Sequence, residues 1–338
     1  NPEGSVYLQD RWSYEGMVVN AGLRFDFFSP GTGVQVELNN KDVQHTVNRW
    51  QSQWSPRLGL AFPITNRDVF HFHYGRFIQF PDKAYLFASQ DANSAIGLIG
   101  NPNLKAETSI SYQAGIKHQF SNSLSGQFAL FNRDAYDLVS SIEVTDDSTG
   151  QTPVRYVNKA FGSSRGIELS LAKSYSNHLS FDVAYTYSFA DGVASSANFG
   201  QRAAGLSYIP NGELPLNWDQ RHTVNVSATV AQPGNWSGTV MYEFGSGFPW
   251  TPVKRFEKKQ DPLLENSRRL SATNTLSFRG EKFFRIHGRT LRVFFDGRNL
   301  LNEAQVVNIS PGVQPGMENA REAYVAYATE RGKFGGAY

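Results

Sequence analysis

Along most of the chain, apolar and polar residues alternate with a period of two. Phe181-Asp182-Val183-Ala184-Tyr185-Thr186-Tyr187-Ser188-Phe189 sets five bulky apolar residues against Asp, Ala, Thr and Ser. Met17, Val19, Ala21, Leu23, Phe25 and Phe27 alternate in the same way with Val18, Asn20, Gly22, Arg24 and Asp26. Val224, Val226, Ala228 and Val230 alternate with Thr223, Asn225, Ser227 and Thr229, and 167–171 repeats the pattern. Successive strand side chains point to opposite faces, so each segment is a strand with one apolar and one polar face. The polar faces are rich in Ser, Thr, Asn, Gln and Gly, which suits contact with water. No comparable helical period stands out.

The turns carry a second pattern. Short connections fall near Tyr14-Glu15-Gly16, Thr65-Asn66-Arg67, Ser121-Asn122-Ser123, Ser176-Asn177, Pro233-Gly234-Asn235 and His287-Gly288. Between them lie long polar connections at 29–49, 81–104, 145–155, 190–216 and 250–270. Short and long alternate throughout, as in an outer-membrane barrel with tight periplasmic turns and long external loops. Twelve strands follow, over 5–14, 17–28, 50–63, 68–80, 105–120, 123–144, 154–175, 178–190, 217–231, 236–250, 270–286 and 289–302. Each supplies the roughly 9–11 residues that a tilted membrane strand needs. The expected fold class is all-β, an antiparallel transmembrane β-barrel.

Composition narrows this reading. No run of about 18 apolar residues exists, so the sequence offers no transmembrane helix. The negative mean hydropathy of -0.41 is compatible with a barrel, which shows lipid only every second residue. Phe (25) and Tyr (15) dominate the aromatics and favour half-buried strands. A net charge of +2 gives no reason to expect a nucleic-acid partner. With no cysteine, disulfides, thiolate metal sites and cysteine nucleophiles are excluded.

Six segments, in order, resemble the barrel of TonB-dependent outer-membrane receptors. They are Ser55-Pro56-Arg57-Leu58-Gly59-Leu60-Ala61, Tyr74-Gly75-Arg76-Phe77, Asn101-Pro102-Asn103-Leu104-Lys105-Ala106-Glu107-Thr108, Ser164-Arg165-Gly166-Ile167-Glu168, Trp218-Asp219-Gln220-Arg221-His222 and Gly297-Arg298-Asn299-Leu300-Leu301-Asn302. Ala106 stands where the family usually has proline. The resemblance is closest to the large receptors that carry an N-terminal carboxypeptidase-regulatory-like domain. It implies a 22-stranded barrel filled by a plug, energised from the inner membrane through TonB, and located in the outer membrane of a Gram-negative bacterium. On this reading 1–338 is one partial barrel of about 12 strands, C-terminal in the whole, with plug and closing strand lying elsewhere. Turn counting places both outer strand ends on the external side, and 302–338 shows no clear closing strand. The implied partners are outer-membrane lipid and lipopolysaccharide, the plug and TonB complex, and a nutrient ligand whose identity these motifs leave open.

Candidate chemistry is sparse. Lys105 and Glu107 share a face at a strand entry and read first as architecture, second as plug or ligand contacts. Pro102 marks the loop before that strand, since proline cannot donate to a ladder. Arg165 and Glu168 fall on opposite faces, Gly166 marks a bulge or close packing, and Asn299 reads as a structural hydrogen-bonding residue. His71 and His73 share one face without a third ligand nearby, so a polar lumenal wall explains them better than a metal site. Asp146-Asp147-Ser148-Thr149-Gly150 lacks the spaced carboxylates of a calcium loop and reads as a solvated turn. From Lys254 to Arg292, eleven Lys/Arg face four acids. The loop part of that stretch (Lys254, Arg255, Lys258, Lys259, Arg268, Arg269) is expected outside, as a solvated loop near lipopolysaccharide or an anionic ligand. Phe248 and Trp250 read as an aromatic girdle or, second, a ligand-stacking edge.

There is no Gly-x-Ser-x-Gly, phosphate loop or dinucleotide fingerprint, so no enzyme activity and no cofactor are expected. The preferred function is energy-coupled ligand uptake. A passive porin, a structural barrel subunit of a surface assembly and a soluble all-β binding or carbohydrate-active protein are the alternatives. The loop pattern predicts that protease or antibody added to intact cells reaches 190–216 and 250–270 but not Asn177 or Gly234. Labelling in the reverse order would invert the topology.

Overall fold

The computed structural model describes residues 2–30, 50–87, 98–144, 154–193, 196–198, 212–254, 259–260 and 264–304. Twelve long strands form one antiparallel sheet in strict sequence order. They are β1 Glu3–Tyr14, β2 Met17–Phe28, β3 Gln51–Pro63, β4 Asp68–Gln79, β5 Glu107–Gln119 and β6 Leu124–Glu143. β7 Val154–Ser176, β8 Leu179–Val193, β9 His222–Gln232, β10 Trp236–Gly245, β11 Thr273–Ile286 and β12 Arg289–Gly297 complete it. Along this order each strand pairs with its sequence neighbours, and β1 and β12 are the edges; two short segments add to the sheet, Leu98–Ile99 parallel to the start of β7 and Leu214–Pro215 antiparallel to the end of β8. A helical turn, Lys83–Phe87, sits between β4 and β5. No helix among the described residues is long and apolar enough to cross a membrane.

The short connections are hairpins. Glu15 and Gly16 (φ 46° and 84°) and His287 and Gly288 (φ 48° and 75°) are left-handed at both central positions. Such two-residue turns match the twist of the strands they join, and glycine reaches that conformation without a Cβ clash.

Register carries the period-two pattern across the sheet. Leu8 opposes Leu23, Ala21 opposes Leu58, Leu58 opposes Tyr74 and Tyr74 opposes Tyr112. The same face continues through Ile116–Phe128, Phe128–Leu169, Leu169–Tyr185, Tyr185–Val224, Val226–Tyr242 and Tyr242–Leu276. One slip of a single residue would reverse every side chain beyond it, so this continuity fixes the register of the whole wall. Leu130, on that face at mid-strand, is 50% exposed, and Leu58, Ile116, Phe128, Leu169 and Val240 are also exposed. A contiguous apolar surface of this size is tolerated in hydrocarbon, not in water. Aromatic residues gather at its two margins. Trp12, Tyr14, Phe62 and Trp236 lie by the short turns. At the other margin Phe25 packs on Trp54 at 4.6 Å, and His222 stacks on Tyr187 at 4.9 Å. Such belts mark the two lipid–water interfaces.

β6 and β7 outrun the membrane. At about 3.3 Å per residue and a tilt of about 45°, the 23 residues of β7 climb roughly 54 Å, against about 30 Å of hydrocarbon. Their extension frames the compact core. Phe28, Leu86, Leu104, Val139 and Tyr156 are buried together there, with Phe28 against Phe80 at 5.0 Å and Tyr85 against Tyr156 at 4.8 Å. Two sequence expectations change. The strand expected over 217–231 begins only at His222, and the one over 236–250 ends at Gly245. In both places the chain leaves the ladder to build a polar clamp, described below.

Asp182 and Thr186 face the polar side and Tyr185 and Tyr187 the apolar side. Arginine at Val183 is therefore expected to cost about 2–4 kcal/mol near the bilayer midplane. Arginine at Ala184 should cost clearly less, as read by unfolding of the full-length protein in lipid vesicles. Equal costs at the two positions would contradict the facing.

Candidate functional site

Some of the charges on the inner, polar face are matched within the wall. Arg24 donates to Asp26 at 2.9 Å, and the Gln113 amide donates to Glu168 at 3.1 Å. Glu281 accepts from Ser237 at 2.9 Å and pairs with Arg292. Glu168 opposes Ala129 and Thr186 on this face, whereas Arg165 opposes Asn132 and Phe189 on the other. His71 and His73 also face inward, with ring centroids 5.9 Å apart. His71 lies over Gly115, where a Cβ would strike its ring, and its Nε2 is buried with no partner among the described residues. No group of three or more candidate metal ligands occurs among the described residues.

At the external end, the segment before β5 docks on β7. Asn101 donates from its side chain to the Tyr156 carbonyl at 2.9 Å, and its Oδ1 accepts from the Asn103 N–H at 3.0 Å. Leu104 and Ala106 are buried. Lys105 lies ahead of the strand with an exposed side chain. Its backbone N–H donates to Asn158 at 2.7 Å and its carbonyl accepts from Asn158 at 3.1 Å. Glu107 accepts from the Val139 N–H at 2.8 Å. That N–H follows Asp137, where φ is 56° and the β6–β7 register shifts. Glu107 thus satisfies a backbone group that the bulge removes from the ladder.

The clamp is centred on Asp219, whose side chain is fully buried. Oδ1 accepts from the Ala190 N–H at 2.8 Å, and Oδ2 receives Arg221 at 2.9 Å together with Arg269. Arg269 also donates to the carbonyls of Asp219 (2.9 Å) and Gly247 (3.2 Å). Arg221 lies 4.1 Å over the Phe189 ring, and Asp191 stands 3.6 Å from both Arg165 and Arg221. One carboxylate thereby ties together the end of β8, the entry to β9 and the connection after β10. The charge-assisted bonds offset the cost of burying it.

The aromatic and basic residues expected around 250 lie on that connection. Phe248 is 40% exposed and its carbonyl accepts from the Leu270 N–H at 2.9 Å. Trp250 is half-buried and pairs through its backbone with Arg268, in a two-stranded ribbon separate from the main sheet. Trp250 therefore stands on the loop, off the strand that the girdle reading assumed. Lys254 pairs with Lys259 in a second short ribbon. Arg255, Lys258 and 145–153 lie outside the described residues. Arg269 is no free loop cation, since Asp219 holds it. Its partner sits 50 positions away in sequence, so only the Trp218–His222 motif itself signalled the site.

A family model described as TonB dependent receptor-like, beta-barrel matches residues 2–300. The chain belongs to this family. No curated protein matches it. Among solved structures it is similar to the outer membrane transporter YddB from Escherichia coli (TM-score 0.63, 13% identity, covering 89% of this chain and 41% of that one). It is also similar to the ferric-catecholate import receptor Fiu from E. coli K12 (TM-score 0.61, 16% identity, 92% and 42%). The ferric enterobactin receptor of Pseudomonas aeruginosa gives a TM-score of 0.58 at 18% identity, over 89% and 40%. The chain therefore spans about two fifths of the length of these proteins. At such identities the likeness is one of fold.

The TonB-dependent receptor motifs now have physical roles. At Gly166 the register is regular, so it is no bulge; a Cβ there would collide with the Tyr187 carbonyl and press on the Phe131 ring. Asn299, at φ 49°, exchanges hydrogen bonds with the Glu303 backbone at 3.1 Å each way. Removing the clamp carboxylate leaves the Ala190 N–H without its acceptor and takes from Arg221 and Arg269 the buried charge they share. Asp219→Ala is expected to lose about 3 kcal/mol, and Asp219→Asn less, because it keeps an acceptor. The temperature at which the full-length protein loses its folded gel mobility reads this out. An Asp219→Ala protein melting like wild type would remove the clamp from the stability of this wall.

Proposed function

We propose that this chain is wall from the C-terminal part of an energy-coupled outer-membrane receptor, whose plug and closing strands lie outside 1–338. The observation that carries the reading is the family match over a sheet whose one face is mainly apolar and the other mainly polar. The wall does no covalent chemistry. Ligand binds at the external loops and the plug surface, and the inner-membrane TonB complex supplies the energy. The Asp219 clamp and the Asn101–Asn158 dock hold the loop bases rigidly enough to present a binding surface. Phe248, Trp250, Lys254 and Arg255 belong to the external connection and are the first positions to test for contact with ligand or lipopolysaccharide. The ferric-catecholate and ferric-enterobactin receptors among the structural neighbours make catecholate chelates the first ligands to assay.

A passive porin uses the same two-faced wall without a plug, and the two separate by transport energetics. The full-length protein in a planar bilayer is expected to show no steady open conductance. Its ligand uptake in cells should stop when the TonB complex is disrupted. A steady open channel with uptake indifferent to TonB would replace the receptor reading with the porin.

A further inference from the structure

A hollow of about 310 Å³ lies in the polar face at mid-strand, across β1 to β5. Two adjacent cross-strand rows build it. In one, Gln9, Gly22, Arg57, Gly75 and Ser111 follow each other across five strands. In the next, Asn20, Gly59, His73 and Gln113 do the same. Glycine stands on either side of Arg57 in its row: the Phe77 ring covers Gly75, and the space over Gly22 stays open, which is what opens the hollow. The Arg57 guanidinium rests 4.7 Å over the Phe77 ring. It makes no hydrogen bond or ion pair among the described residues, in contrast to the matched Arg24 and Arg292 on the same face. No Asp or Glu lines the hollow, while Asn20, His73, Ser111 and Gln113 surround it with polar groups.

We propose that this hollow is a carboxylate-binding site on the lumenal wall, with Arg57 as its anchor. A planar guanidinium with unfilled donors receives a carboxylate as a two-bond fork, and the Phe77 ring beneath fixes the plane of that fork. The neighbouring amide and hydroxyl groups take up the remaining lone pairs. The carboxylate comes either from an acidic side chain of a segment folded into the lumen or from an anionic solute within it. The inference rests on the barrel reading, which turns this face inward, and is independent of which nutrient is carried.

The test uses the full-length protein in detergent with citrate as the probe, followed by calorimetry. If the carboxylate is solute-borne, wild type binds citrate, Arg57→Gln weakens binding by about tenfold or more, and Arg57→Lys weakens it less. Gly22→Leu provides a second variant. A Cβ at Gly22 meets only Leu8 O at 3.6 Å and Gln9 at 3.9 Å or beyond, so the backbone accepts a side chain that fills the hollow. It should lower citrate affinity with Arg57 intact and folded gel mobility unchanged. If the carboxylate belongs to the protein, wild type is silent to citrate. A structure of the full-length protein then shows an Asp or Glu within about 4 Å of the guanidinium. Silence to citrate with Arg57 unpaired in that structure would overturn the proposal, as would citrate binding unchanged in both Arg57→Gln and Gly22→Leu. A conducting, unplugged barrel would remove the receptor reading and leave the citrate arm to decide the proposal.

Discussion

The bilayer core has no water to satisfy a backbone N–H or C=O, and each such group left unpaired costs several kcal/mol. That constraint organises everything else in this wall. A chain without a long apolar helix meets it by pairing strand to strand. The twelve strands do so in sequence order, each antiparallel to the next, so neither the tight turns nor the long connections have to cross the sheet. Once the ladder exists, its two faces meet different solvents. Period two in the sequence is the direct consequence: lipid on the face of Leu58, Phe128, Leu169 and Tyr185, an aqueous lumen on the face of Arg57, Gln113, Glu168 and Thr186.

Where the strands leave the hydrocarbon the constraint changes character. Backbone groups there have water, and the ladder gives way to local side-chain networks that hold long connections in place. Asn158 takes both backbone groups of Lys105, Glu107 rescues the N–H stranded by the bulge at Asp137, and Asp219 gathers Arg221, Arg269 and the Ala190 N–H. These networks connect fold to function. A receptor presents its loops from a scaffold that does not move with them, and each node anchors one loop base to the sheet.

Strands were legible in the sequence to within a few residues because their signal is local and repeats along the whole wall. Met17–Phe28 and Asp68–Gln79 follow directly from alternation and turn residues. What alternation missed was set by distant partners. Trp218–Arg221 looks like strand but is drawn into a turn by an arginine 50 residues later, and 246–250 departs from β10 to bring Gly247 and Phe248 against Leu270. The helical turn at Lys83–Phe87 exists by packing Leu86 against Phe28 and Leu104, contacts that no local period announces. The site was less legible still. Lys105 and Glu107 stand out by charge, yet their bonds are made to β7 and β6. Arg57 passed as a motif residue until register placed glycines on both sides of it.

Which face of the wall meets lipid decides its role, and spin labels placed one at a time at 181–189 in the bilayer-inserted full-length protein read it directly. Oxygen, which concentrates in lipid, should relax the labels at 181, 183, 185, 187 and 189. A water-soluble nickel chelate should relax those at 182, 184, 186 and 188. Accessibility without a period of two, or with the two sets exchanged, would contradict the assignment of lipid and lumen on which the receptor wall is built.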